Sequence, residues 1–179
     1  MMEWKKCKIA DLGRVVTGKT PSTKEKSYWG GDVPFITPKD LQAQKHILLT
    51  ERNISEQGKQ AVKNSILPAG SICVSCIGNI GYTGVTVAES VTNQQINSII
   101  PFCREEMDFI YYTIRNLWGF FKHYEGQSTA LSILNKTQLE KIEVTIPTNQ
   151  EGRFKIGAVL RSIDEKIEEN IAINHNLAA

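Results

Sequence analysis

The chain has 179 residues, 41% apolar and 22% charged, with a formal net charge of +2; that length buries a real core and supports one globular domain plus an appendage. No apolar run approaches a bilayer span, and Met1-Met2-Glu3-Trp4-Lys5-Lys6 leads into no signal-peptide core, so the expected location is cytoplasmic rather than membrane or secreted. Residues 1–63 carry 12 Lys/Arg against 7 Asp/Glu, whereas residues 64–103 carry no Lys or Arg and only Glu89, so a positive field able to steer a phosphate backbone is concentrated in the first third; on charge alone, a merely solvated basic surface fits equally well.

In chain order, Trp4 to Gly18 mixes short apolar stretches, and Lys19 to Asp32 reads as a long loop, with Pro21, Gly30-Gly31 and almost no apolar periodicity. Val33 to Ile36 is a short strand candidate, and Ser55 to Asn64 a helix with Ser55 as its N-cap. The β-branched runs Ser71 to Ile77, Tyr82 to Val87 and Gln95 to Pro101, separated by glycine turns, read as strands of one sheet. Glu105 to about His123 is predicted as a single helix, with Phe109, Tyr112, Leu117 and Phe120 at helical spacing. A short helix over Lys136 to Lys141, capped by Asn135, leads into a strand from Ile142 to Ile146, and Pro147 closes the globular part. The fold class is α+β with a mixed or antiparallel sheet and flanking helices; there is no regular βαβ alternation and no internal repeat.

The last segment differs in kind. Thr148-Asn149-Gln150-Glu151 matches a capping box, and then Ile156, Leu160, Ile163, Ile167, Asn170, Asn174 and Leu177 recur at spacings of four and three. That is the seam of a coiled coil, in which Asn170 and Asn174 would set register. A helix of about 27 residues extends ~40 Å, too long to bury its stripe along a domain this small, so it calls for a partner helix; folding back onto its own domain is the alternative. The predicted division is 1–147 for the globular part and 148–179 for the helix.

Several patterns need weighing. Gly13-Arg14-Val15-Val16-Thr17-Gly18-Lys19-Thr20 satisfies the phosphate-loop string, but that chemistry needs a buried strand before the loop and a helix beginning at the lysine. Lys5-Lys6-Cys7-Lys8 is too polar for a central strand, and Pro21 to Lys26 has no apolar face. Nucleotide hydrolysis is therefore a rival reading that lacks its context. Cys73 and Cys76 are x₂-spaced without a second pair, and His46, His123 and His175 are scattered, so no metal is expected. Cys7, Cys73, Cys76 and Cys103 read as reduced, buried thiols. In Ile77-Gly78-Asn79-Ile80-Gly81-Tyr82-Thr83-Gly84, glycines allow close approach to a phosphate while Asn79 and Tyr82 reach bases; a tight hairpin explains the same glycines. Asn93-Gln94-Gln95 is an amide cluster of the kind that pairs with adenine or satisfies a strand start. No dinucleotide fingerprint, methyltransferase tetrapeptide or nuclease carboxylate pair is present, so neither a cofactor nor catalysis by this chain is expected.

Taken in order, Gly18 to Ser22, Tyr28 to Ile36, Lys39-Asp40-Leu41, Leu67 to Ile72, Gly78 to Gly81, Thr92 to Ile96, Gly126-Gln127-Ser128, Leu139 to Pro147 and Leu160 to Ile167 resemble the specificity subunit of type I restriction-modification systems. The resemblance spans nearly the whole chain and accounts for the phosphate-loop string. Thr148 and Glu151-Gly152 depart from a Pro-x-Pro entry and a Glu-Gln pair, and Gly152 and Gly157 should weaken the helix by up to about 1 kcal/mol each. The family's usual chain has two recognition domains and two long helices where this sequence has one of each, so a half subunit and a fragment both fit.

What the resemblance implies is a non-catalytic target recognition domain that reads one half of a bipartite site in double-stranded DNA. Its helix would pair antiparallel with a second copy or second half as a spacer, and methyltransferase and restriction/motor subunits would dock on that assembly. The residues expected to meet DNA are Lys19, Thr20, Ser22, Lys24, Lys26, Thr37, Lys39, Asn79 and Tyr82. A coiled-coil adaptor that never meets DNA is the alternative from another class.

Overall fold

The structure, a computed structural model, describes residues 2–42, 44–126 and 132–177, with side chains described to residue 174. Gln127 and Ser128 lie outside the described residues, as do the side chains of His175 and Leu177.

Among the described residues, eleven strands and five α-helices follow one another as β1 (Trp4–Lys8), β2 (Gly13–Thr17), β3 (Trp29–Ile36), β4 (His46–Ile47), β5 (Arg52–Ile54), α1 (Glu56–Ala61), β6 (Ile66–Leu67), β7 (Ile72–Ser75), β8 (Thr83–Thr86), β9 (Ser90–Thr92), β10 (Ile96–Pro101), α2 (Met107–Asn116), α3 (Trp118–Gly126), α4 (Lys136–Lys141), β11 (Glu143–Pro147) and α5 (Gln150–Leu177). A five-stranded sheet has the order β2-β10-β7-β8-β4, a four-stranded sheet β5-β3-β9-β6, and β1 pairs only with β11. Most pairings are antiparallel, with parallel β3–β9 and β4–β8, so the sheets are mixed.

The five-stranded sheet is covered on both faces, and the two-residue period of a strand shows how. Ile72 and Val74 of β7, with Val15 and Ile99, join a large core under Phe109, Ile110 and Ile114 of α2, Phe121 of α3 and Leu139 of α4. Cys73, Val16 and Ile96 point the other way and pack with Ile36, Leu41 and Leu67, against the second sheet. A third cluster, Val33, Phe35, Ile54, Val62 and Val91, lies within that second sheet and α1. Burial on both faces explains why every residue of β7, of β8 and of the first four positions of β10 is buried, with no charged residue among them, instead of alternating between buried and exposed.

The expected strands at 71–77, 82–87 and 95–101 are β7, β8 and β10, and the Ser55 and Asn135 caps form, accepting from Gly58 N at 3.1 Å and Gln138 N at 3.0 Å. The charged Trp4–Lys8 stretch, too polar for a central strand, is one half of a two-stranded ribbon that needs little apolar surface. Four expectations change. The strand β3 begins at Trp29, inside the stretch 19–32 that reads as loop. The single helix over 105–123 is two, because the chain turns at Leu117 and restarts at Trp118. The cap of α5 is Asn149, whose Oδ1 accepts from Gly152 N at 3.2 Å; Thr148 instead donates to Glu3 O, and Glu151 pairs with Lys155 at 2.6 Å. Of the cysteines only Cys73 and Cys76 are buried, Cys7 and Cys103 being half-buried.

Gly152 and Gly157 are both buried. A Cβ at Gly157 would sit 2.8 Å from Phe109 N, so glycine there permits α5 to lie directly on α2. The first half of α5 is thus folded onto its own head, through half-buried Ile156 and Leu160. Beyond Asp164 every described side chain of the helix is exposed, and Ile163, just before it, Ile167, Ile171 and Ile173 are each at least half exposed.

Candidate nucleic-acid interface

Three backbone hydrogen bonds gather the loops. Gly18 N donates to Ile96 O at 3.0 Å, Asn93 N to Ile36 O at 3.0 Å and Cys76 N to Gln95 O at 2.7 Å. The turn Asn93–Gln95 is thereby sewn to the C-terminal ends of β2, β3 and β7, and the chain leaves all three strands at one edge of the stacked sheets. A Cβ at Gly18 would collide with the Asn93 carbonyl, so only glycine lets β2 pass this close to the turn.

That edge brings together most of the residues singled out from sequence. Lys19 and Thr20 follow β2, and the Thr20 hydroxyl donates to Gln94 Oε1. Thr37 and Lys39 follow β3. Thr37 is occupied locally, its amide and hydroxyl both donating to Asp40 Oδ2 at 2.7 and 2.8 Å, and Lys39 makes a loose, exposed pair with Glu51 at 3.6 Å. Asn79 and Tyr82 follow β7, with Asn79 exposed at the tip of its turn. Ser22, Lys24 and Lys26 lie farther along the loop after β2, whose return is pinned by Trp29 Nε1 donating to Ser22 O at 3.1 Å. Lys19, Lys24 and Lys26 are exposed and make no ion pair among the described residues, so their charge is uncommitted.

The glycine turn is held rather than loose. Gly78 and Gly81 have φ of 76° and 96°, which side-chain-bearing residues rarely adopt. The Ser75 hydroxyl donates to Asn79 O at 2.6 Å and accepts from Tyr82 N at 2.9 Å. Glu125 of α3 accepts from Ile80 N at 2.6 Å and from Lys122 at 2.7 Å; burial works against its charge, but the Lys122 ammonium and the Ile80 amide hold its carboxyl below the usual range. The Tyr82 ring meets Trp118 edge-on at 5.6 Å, and Lys122 Nζ lies 4.3 Å over the Trp118 ring. Sequence reasoning missed Trp118, Lys122 and Glu125, since nothing local ties them to a turn some forty residues earlier. The Lys122-x₂-Glu125 spacing was the one visible signal.

The phosphate-loop string has no phosphate-binding geometry. Gly13–Thr17 is the strand β2 itself, paired with β10, and no helix begins at Lys19. No group of three His, Cys, Asp or Glu among the described residues is placed to hold a metal ion. No described helix is long and apolar enough to cross a membrane.

The geometry is thus one of exposed polar and basic loops at one edge of stacked sheets, together with a long helix whose second half is exposed. The chain belongs to the family described as the type I restriction modification DNA specificity domain, which matches residues 1–177. Over 149 residues it is 38% identical to the type I restriction enzyme HindI specificity subunit of Haemophilus influenzae, covering 82% of this chain and 32% of that one. Over 170 residues it is 36% identical to the MjaIX specificity subunit of Methanocaldococcus jannaschii, covering 93% and 39%. The chain thus spans well under half the length of these relatives. The fold is that of the type I S subunit from M. genitalium (TM-score 0.69, 16% identity, 98% of this chain and 44% of that one) and of the HsdS subunit from Thermoanaerobacter tengcongensis (0.67, 15%, 93% and 38%).

Proposed function

We propose that this chain is a non-catalytic DNA-recognition module that reads one half of a two-part target, residues 1–147 bearing the address and 148–179 the spacer. The observation that carries this is the single edge where the β2, β3 and β7 loops meet, with Lys19 at that edge and Lys24 and Lys26 farther along the β2 loop all exposed and without an ion pair among the described residues. Lysines there hold phosphates and fix register, while Asn79, Tyr82, Thr20 and their neighbours in the glycine and amide turns face base edges. Ser22 and Lys39 add phosphate contacts, and Thr37 shapes the loop that carries Lys39.

In this reading the exposed stripe of α5 pairs with the same helix of a second copy or second half. Ile163, Ile167, Asn170, Asn174 and Leu177 form the seam, while Ile156 and Leu160 root the helix on its own head. Methyltransferase subunits, and through them the restriction/motor subunit, dock on the paired helices, and the methyltransferase flips its target adenine. Methylome sequencing of cells with and without this gene tests the proposal, because a two-part motif should lose modification when the gene is removed. Unaltered methylation, together with no affinity for duplex DNA, overturns it in favour of an adaptor acting through the apolar stripe alone.

A further inference from the structure

Two separate joints attach α5 to the head. The first lies at its base, where Arg153 pairs with Glu106 at 2.8 Å and also donates to Pro147 O, with Gly157 against Phe109. The second lies farther out and is built on a buried charge. Lys45, at the end of the loop that follows β3, has a side chain only 4% exposed, and its ammonium lies 2.6 Å from Asp108 Oδ1 of α2. Two side chains of α5 reach this pair: Arg161 Nη1 donates to Asp108 Oδ2 at 3.2 Å, and Asp164 Oδ2 accepts from the Tyr112 hydroxyl at 2.7 Å, that same hydroxyl being 3.2 Å from Lys45 Nζ. Beyond Asp164 a cleft of about 630 Å³ opens between head and helix, lined by Leu41, Tyr111, Arg115, Ile167 and Ile171.

A buried ion pair adds little net stability over an apolar pair of similar size, and its best-attested use is to select one geometry. Here the geometry selected is the angle between head and helix. From Arg153 to Asp164 is about 16 Å along the helix, and from Arg153 to Leu177 about 36 Å. With the base as pivot, a 1 Å slip at the outer joint becomes about 2 Å at the far end. Two heads on paired helices double that to about 4 Å, comparable to the 3.4 Å rise of one base pair.

We propose that the joint formed by Lys45, Asp108, Tyr112, Arg161 and Asp164 sets which half-site spacing is accepted, Arg161 and Asp164 being positioning residues that never touch DNA. This rests on the two-part reading above. The test is methylome sequencing of cells carrying the methyltransferase partner with the wild-type chain or with the double variant Arg161→Gln/Tyr112→Phe. That variant frees the helix while leaving the buried Lys45–Asp108 pair intact. Arg161→Gln alone, at a half-exposed site, is the milder variant should the double one fold poorly.

The expected result is an unchanged half-site sequence with added modification at spacers one base pair longer or shorter, rising to at least about a tenth of the wild-type level, a tenfold discrimination corresponding to 1.4 kcal/mol. Fewer modified sites at one unaltered spacing would mean that the joint supports only folding, and would overturn the proposal. A wild-type chain that yields no two-part motif would instead overturn the underlying reading, and the wild-type sample alone reveals that.

Discussion

Arg153 grips Glu106 side-on with two N–H groups along one edge of its guanidinium, Nε donating to Oε2 at 2.9 Å and Nη2 to Oε1 at 2.8 Å. The two side chains are 13% and 7% exposed, so water cannot replace either partner. Arg153→Ala should therefore cost about 3 kcal/mol in urea unfolding, most of it from stranding the Glu106 carboxylate. Arg153→Lys keeps the charge but loses the fork, and should fall in between. A loss below about 0.5 kcal/mol for Arg153→Ala, the level of a surface substitution, would mean that the base of the helix is not held this way.

Gly157 and Gly119 make opposite predictions from the same substitution. Alanine in a helix is favoured over glycine by about 1 kcal/mol. At Gly119 a Cβ meets no atom within 4 Å, so Gly119→Ala should raise stability by about 0.5 kcal/mol. At Gly157 the Cβ would press on the α2 backbone, so Gly157→Ala should lower it by about 1–3 kcal/mol despite the better propensity. Thermal melts of the two variants decide it, and equal shifts would refute the close packing of α5 on α2.

The thiols divide into two classes. Burial pushes Cys73 up to about 12 and Cys76 up to about 11. The thiolate is the nucleophile, so at pH 8 less than about one part in a thousand of either is reactive, even before access is considered. Iodoacetamide on the native protein should label only Cys7 and Cys103, with Cys73 and Cys76 following after denaturation. Mass spectrometry that found Cys73 labelled in the folded state would contradict the two-sided covering of β7.

What was legible in the sequence was what neighbours in the chain decide. Ser55 and Asn135 announce their helices through side chains that reach amides three residues on, and the runs around Val74, Val85 and Ile99 announce a buried sheet. What was not legible depends on distant partners. Lys45 counts as one more basic residue until Asp108, 63 positions later, is found against it. Gly157 looks like a weak point in a helix until Phe109 is seen beneath it. Thr148 fits a capping box by spacing, yet the β1–β11 ribbon brings Glu3 O to its hydroxyl, and Asn149 takes the cap. In the sequence the loop residues stand out only by polarity and position in the chain, and it is the backbone bonds around Asn93–Gln95 that gather the β2, β3 and β7 loops at one edge.

For the lysines of the loop after β2, the expected signature is electrostatic. Lys19→Ala, Lys24→Ala and Lys26→Ala should each weaken binding to any duplex and lower the slope of log affinity against log salt by about one unit. Asn79→Ala should leave that slope unchanged and alter sequence preference instead. Fluorescence anisotropy over a salt series separates the two behaviours. A slope untouched by all three lysine changes would move the DNA to another face.

The apolar residues of α5 should likewise part into two groups, because the helix serves its own head before it serves a partner. Ile156 packs on the main core and Ile163, seven residues on, is half exposed. Ile156→Ala removes buried methylene groups, so it should lower unfolding stability by about 2 kcal/mol and leave oligomeric state unchanged once stability is accounted for. Ile163→Asp, alone or with Ile167→Asp, places charge where a mate would sit and should convert a dimer to monomer with little effect on the monomer's melt. Sedimentation velocity reads the second effect directly. A wild-type chain that is already monomeric at tens of micromolar would show that the stripe meets a different helix, and Ile163→Asp should then abolish co-purification with that partner instead.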